Sequence, residues 1–176
     1  MITTVIGAYP KPLFLKITDW FNAIGGTDTS NPTSKYLSEI KKMGKNSDEI
    51  FMKATKEIIK DQIECGIDII TDGEVRRENY IHYHCRNLSG INFNKLTKKL
   101  ARTGNYECWL PTVEKKIEPK ESFLDLDYLN AKKFSNKPIK ITIPGPMTIT
   151  DTIVNDYYKS DKELGKDLSI AINYEI

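Results

Sequence analysis

The sequence predicts an α/β protein, and three observations carry that prediction. A helical pattern stops at Gly66 and passes straight into a short apolar run, residues 67–71 (IDIIT), the helix-to-strand passage of alternating α and β units. Three runs rich in β-branched residues, 3–9, 67–71 and 139–143, read as strands, and each gives way to Gly or Pro at its C-terminal end. The 176 residues are 39% hydrophobic and 28% charged, which suits one ordered domain and not a disordered chain.

Taken in order, residues 3–9 (TTVIGAY) form the first expected strand, broken by Gly7 and stopped by Pro10 and Pro12. Residues 11–26 carry Leu13, Phe14, Ile17, Trp20 and Phe21 and close on Gly25-Gly26; their spacing fits a short helix or a structured loop. The Gly/Thr/Ser/Asn/Pro cluster of residues 26–34 reads as loop. Asn46-Ser47 followed by Asp48-Glu49 is a helix start, with an N-cap side chain and acids in the first turn. Phe51, Ala54, Ile58, Ile59 and Ile63 then recur at helical spacing until Gly66.

Beyond the second strand, residues 75–88 are polar and aromatic with a helical option. Residues 106–117 alternate loosely around Pro111 and fit an edge strand or a hairpin. Residues 123–134 read as a helix on Leu124, Leu126, Leu129 and Phe134. The third strand, 139–143 (IKITI), runs into Pro144-Gly145-Pro146. The last helix, 161–176, places Leu164, Leu168, Ile172 and Ile176 at i, i+4 spacing.

Several function classes are disfavoured. Lys+Arg 26 against Asp+Glu 24 leaves a net charge of +2, too balanced for a protein that works by neutralising phosphates, so no nucleic-acid partner is expected. No apolar run approaches the roughly 18 residues of a membrane span, and residues 1–12 lack the pattern of a secretory signal. Cys65, Cys85 and Cys108 are odd in number and dispersed, which points to a reducing cytoplasm. There is no GxGxxG, GxxxxGK[ST] or GxSxG. The lysine pairs Lys98-Lys99 and Lys115-Lys116, interleaved with acids, read as solvated faces.

What remains is the set of strand ends. In a parallel barrel such ends gather on one face and build the active site, and Gly lets backbone N–H groups approach a ligand. Asp72 and Glu74 project from the second of them. Glu74 could hold an amine, act as a base or pair with Arg76 or Arg77; the competing reading of 72–78 is a solvated turn with ion pairs of little energetic value. His82-Tyr83-His84-Cys85 is the tempting metal signal, since zinc needs three or four such ligands. On a helix, however, His82 and His84 diverge, and as a strand they lack a third partner. Ordinary buried side chains are the preferred reading there.

Together, TTVIGAYP at 3–10, GIDIITDGE at 66–74 and KPIK through PGPMT at 137–148 resemble the catalytic barrel of cobalamin-independent methionine synthases and their single-barrel relatives, along essentially the whole chain. The resemblance implies a (β/α)8 TIM barrel, of which this chain would supply roughly the first four βα units as its N-terminal part. A complete barrel takes about 250 residues. It implies transfer of a methyl group from methyltetrahydrofolate or a corrinoid donor to homocysteine, giving methionine.

The family's Ile-Gly-Ser, which holds the amino-acid end of homocysteine, maps onto Ile6, Gly7 and Ala8, with Ala8 lacking the usual hydroxyl. Its Gly-Glu carboxylate maps onto Glu74, with Asp72 as a supporting partner. The resemblance also implies zinc, whose ligands (an H-x-C pair, then Glu and Cys) are expected beyond residue 176, so no metal ligand and no catalytic residue is assigned within this chain. The pterin-site Trp of folate-dependent members falls near Thr152. The chain alone is expected to be inactive and to self-associate through exposed half-barrel edges. Two rivals are a non-catalytic half-barrel that works by assembly, and a uroporphyrinogen-decarboxylase-like barrel reading carboxylates with Arg76, Arg77 and Arg86.

Overall fold

The structure, a computed structural model, describes residues 1–19, 30–101, 104 and 106–176. Its centre is a set of three parallel chain segments. Thr4 bridges Ile69 in parallel, and β1 (Ile70–Thr71) pairs in parallel with β4 (Ile139–Lys140), Ile70 opposite Ile139. All three expected strands therefore lie side by side in chain order, but their regular hydrogen bonding is much shorter than the apolar runs suggested. The described residues hold three such parallel segments, where about four units were expected.

Helix α2 (Ser47–Glu64) connects the first segment to the second. Its buried face is Phe51, Ala54, Ile58 and Ile59, as the periodicity requires. Gly66, at φ +77, makes the turn into β1, a conformation costly for any side chain. The expected cap at Asn46 does not form, because a 3-10 turn, Gly44–Asn46, runs directly into the helix. Helix α4 (Leu124–Lys132) lies in the connection to the third segment. Ile59, Ile70 and Ala131 bury one another, with Ile63, Ile67, Phe134 and Ile139 around them, so α2 and α4 cover the same side of the parallel segments. Leu126 and Leu129, two of the apolar residues on which this helix was expected, are exposed.

Helix α1 (Ser30–Met43) occupies part of what the sequence suggested was loop. Pro32 stands in its first turn, where a missing N–H breaks no helical bond. Tyr36, Ile40 and Met43 pack against Leu15, Ile17 and Phe51. Trp20, Phe21, Gly25 and Gly26 lie outside the described residues.

The largest departure from expectation is a long antiparallel hairpin, β2 (Leu88–Ala101) with β3 (Tyr106–Pro119). Residues 106–117 were read as strand or hairpin, but the first arm was missed. Its register shifts twice, between Ser89 and Ile91 and between Asn92 and Leu96, so its in-out alternation is scrambled. At Gly90, φ +89, a Cβ would sit 2.5 Å from the Lys116 carbonyl oxygen, so only glycine fits. Lys98 is a solvated ion-pair partner of Glu107, as expected, at 2.6 Å. Lys99 is not solvated in that way: its Nζ donates to the Thr150 and Ile153 carbonyls, both at 2.9 Å.

Those carbonyls belong to the end of helix α5 (Pro146–Asp151) and the turn before β5 (Val154–Asn155), which pairs with β3 in parallel. Helix α6 (Asp161–Asn173) is capped by Ser160, whose side chain accepts from the Glu163 N–H. Its Leu164 and Leu168 are fully buried against Val113, Ile117 and Ile149, each contributing about 2 kcal/mol of apolar burial. Ile176, at the end of the pattern, is exposed. Helix α3 (Tyr80–Arg86), capped by the Asn79 side chain on the Ile81 and His82 N–H groups, fills part of the segment whose helical option was left open.

Candidate active site

The C-terminal ends of the three parallel segments converge, and a glutamine missed in the sequence organises the meeting point. Gln62, fully buried on α2, takes both peptide groups of Thr71: Oε1 accepts its N–H at 2.9 Å and Nε2 donates to its carbonyl at 3.0 Å. The end of β1 thus satisfies its polar groups without a further strand residue. The Thr71 hydroxyl then donates to the Gly7 carbonyl at 2.9 Å and accepts the Gly73 N–H at 3.1 Å. The Tyr9 N–H closes the contact on the Gly73 carbonyl at 3.0 Å.

Two consecutive residues here adopt left-handed backbone conformations, Gly73 at φ +71 and Glu74 at φ +53. Among the described residues Glu74 is the one non-glycine with positive φ. That conformation costs about 1 kcal/mol or more for a residue with a Cβ, and it turns the Glu74 side chain back over the first segment. Gly7 makes room for it, since a Cβ there would lie 2.5 Å from Glu74 Oε1 and 2.8 Å from Thr142 Cγ2.

Glu74 is buried, and its Oε1 accepts from the Thr142 hydroxyl at 2.6 Å. Behind it lies Arg77, 2% exposed. Its Nη1 donates to the Thr142 carbonyl at 2.9 Å and hydroxyl at 3.0 Å. The same guanidinium stands 3.8 Å from Glu74, 3.7 Å from Asp72 and 3.9 Å from Asp127. The reading of residues 72–78 as a solvated charged turn is therefore wrong, because Asp72, Glu74, Arg77 and Glu78 are all buried. Lys11 joins the group, its Nζ donating to the Arg77 carbonyl and to Asp19, both at 2.7 Å.

Burial raises the Glu74 pKa above its usual range, and Arg77 and the Thr142 hydrogen bond oppose that rise. The Asp127 carboxyl is pushed up to about 6 by burial and by the neighbouring Asp72 charge. Three carboxylates crowd the Arg77 guanidinium, and Arg76, paired with Asp48 at 2.9 Å, also lies 4.0 Å from Asp127.

The candidates from the sequence divide. Gly7, Asp72 and Glu74 come together with Thr142 and Arg77, neither of which was singled out as part of an amino-acid site. Ala8 is half-buried beside them, while Ile6 is 95% exposed and turned away from the cluster. The three arginines of the decarboxylase-like rival are engaged by the chain's own acids, Arg86 by Glu78 at 2.9 Å, so they form no free cationic floor.

His82 and His84 do not form a metal centre. His82 Nδ1 accepts from the Thr33 hydroxyl at 2.6 Å and its Nε2–H donates to the Thr152 carbonyl at 2.9 Å; burial holds its pKa down at about 4. His84 donates from Nδ1 to the Tyr80 carbonyl at 2.6 Å, and burial brings it to about 3. Burial pushes the Cys85 thiol well above its usual range. Among the described residues no group of three or more His, Cys, Asp or Glu could hold a metal, so the residues present do not fit a zinc ion by themselves.

Residues 1–176 match the catalytic domain of the cobalamin-independent synthases. The chain belongs to that family. Among curated relatives of this synthase family, it is 34% identical over 176 residues to the methionine synthase of Sulfolobus acidocaldarius, covering 99% of this chain and 46% of that protein. To the methionine synthase of Saccharolobus solfataricus it is 33% identical, covering 99% of this chain and 47% of the relative. The B12-independent methionine synthase from Shewanella sp. W3-18-1, solved in complex with selenomethionine, superposes with a TM-score of 0.80 at 28% identity, over 98% of this chain and 46% of that one. The chain thus spans about half the length of the synthases it matches. The fold is mixed α/β, like theirs. No described helix is long and apolar enough to cross a membrane.

Proposed function

We propose that this chain is the N-terminal part of a methionine-synthase TIM barrel and contributes the amino-acid end of its homocysteine site. The observation that carries the reading is the buried Glu74 carboxylate, held against Gly7 at the mouth of three parallel segments, the face on which barrel enzymes bind substrate. One carboxylate oxygen is taken by Thr142, and the other accepts no hydrogen bond among the described residues. The ammonium group of homocysteine pairs with it, and backbone N–H groups near Gly7 and Ala8 meet the α-carboxylate. Asp72 supports the site through Arg77.

In the reaction of the whole enzyme a C–S bond forms on the homocysteine sulfur as the methyl group leaves its donor, the donor keeps the electron pair of the broken bond, and the thiol proton is lost. The donor we favour is methyltetrahydrofolate, in keeping with the cobalamin-independent family; a corrinoid donor is the alternative. Zinc, when bound, favours the thiolate, the stronger nucleophile, and its ligands would come from outside these 176 residues. The cytoplasm is the proposed compartment.

Calorimetry with L-homocysteine and L-methionine tests the site. Binding by the wild type, reduced at least tenfold in Glu74→Gln, is expected; equal binding by both would reject it. Because the Glu74 pKa is raised, affinity falls as the pH drops through it and the carboxylate gains a proton.

A second reading, assembly through open edges, is favoured by the exposure of Ile2 and Ile6 at the first segment, 76% and 95%, and of Leu13 in the turn after it, 90%. Sedimentation of the purified chain tests it: a defined dimer supports it, and a monomer at micromolar concentration rejects it.

A further inference from the structure

We propose that Thr142 is a positioning residue of this site: backed by Arg77, its hydroxyl commits Glu74 Oε1 as an acceptor and leaves Oε2 to receive the ammonium group of an α-amino-acid ligand. The inference rests on the reading of Glu74 given above.

The argument follows from what each group can do. A guanidinium only donates, so the Thr142 oxygen, 3.0 Å from Arg77 Nη1, acts there as an acceptor. The single proton of that hydroxyl then points to its other neighbour, Glu74 Oε1, at 2.6 Å. A carboxylate oxygen that accepts a hydroxyl proton at this distance carries none of its own, so the relay favours the ionised form of Glu74. The second Arg77 bond, 2.9 Å to the Thr142 carbonyl, fixes the threonine backbone as well. Gly7 lets the carboxylate lie against the first segment, and the left-handed backbone of Glu74 sets its approach. The free oxygen can then be satisfied only by a donor, which selects an ammonium over a carboxylate or a neutral acceptor at that point.

The test uses the full chain with Thr142→Val, which keeps the shape and removes the hydroxyl, and Thr142→Ser, which restores it. Two quantities are read. One is the Glu74 titration midpoint, from the glutamate side-chain carboxyl 13C resonance that Glu74→Gln removes. The other is affinity for L-methionine by calorimetry. Thr142→Val is expected to raise the midpoint and weaken binding about tenfold, and Thr142→Ser to return both towards the wild type. An unchanged midpoint in Thr142→Val overturns the proposal, and so does a shift that Thr142→Ser shares, since that would be a packing effect. If the wild type binds no amino acid, the ligand assignment of Glu74 falls, while the midpoint still decides whether Thr142 holds the carboxylate.

Discussion

Replacing Gly7 by alanine tests the packing on which the candidate site depends. The added Cβ would stand 2.5 Å from Glu74 Oε1 and 2.8 Å from Thr142 Cγ2, where ordinary contact begins at 3.4 Å. The carboxylate would have to retreat by about an ångström, which breaks its 2.6 Å hydrogen bond to Thr142. Overpacking of this kind costs about 1–3 kcal/mol, and a hydrogen bond to a charged group contributes about 1.5–3 kcal/mol. Because the retreat relieves part of the clash, the two costs overlap, and a net loss of about 3 kcal/mol is expected.

Urea unfolding of the wild type and Gly7→Ala measures it. With a slope near 2 kcal/mol per molar, the midpoint should fall by about 1.5 M. Adding Thr142→Ser removes the Cγ2 contact but keeps the hydroxyl, and should recover about 1 kcal/mol of the loss, a coupling that distant sites do not show. A Gly7→Ala variant within about 0.5 kcal/mol of the wild type would refute the close packing of Gly7, Glu74 and Thr142.

Three other outcomes follow from the same geometry. Asp127 has its folded pKa raised to about 6 from 3.8, so it binds its proton more tightly in the folded state. Its contribution to stability is full at low pH and is lost as pH rises towards 7. The stability difference between Asp127→Asn and the wild type, from unfolding curves at several pH values, should therefore shift by roughly 2–3 kcal/mol in the variant's favour between pH 4 and 7; a pH-independent difference would contradict it.

His82 and His84, held down at about 4 and about 3, should stay neutral in 15N spectra down to about pH 5, His82 with its proton on Nε2. An imidazolium signal from either at pH 6 would show that the burial described is wrong. Lys11→Met breaks a pair whose side chains are 4% and 1% exposed and removes the bond to the Arg77 carbonyl. It should cost roughly 3 kcal/mol, and a loss below about 1 kcal/mol would place Lys11 in solvent.

The elements legible in the sequence were those whose periodicity reported burial directly. Phe51, Ala54, Ile58 and Ile59 are buried on α2 at the spacing that predicted them, and Leu164 and Leu168 do the same for α6. The hairpin was only half legible, because two register shifts destroy the alternation of its first arm. Helix α1 was hidden by a Ser/Asn/Pro start that reads locally as a turn. Its burial comes from partners outside the helix on both sides in sequence, Leu15 and Ile17 before it and Phe51 after it.

While the parallel arrangement of the three segments was only implied by the family resemblance, the sequence by itself determined the α/β class and the residues at the segments' ends, Gly7, Asp72 and Glu74. These depend on local pattern and on short motifs whose chemistry is written in their residue types. Only the tertiary structure decided that residues 72–78 are interior, that Gln62 seals the end of β1, and that Arg77 and Thr142 orient Glu74. The reason is physical: a charged residue looks alike in solvent and in a core until its partners are known. Here Thr142 lies 68 residues from Glu74 and 65 from Arg77, distances in sequence that no local pattern spans.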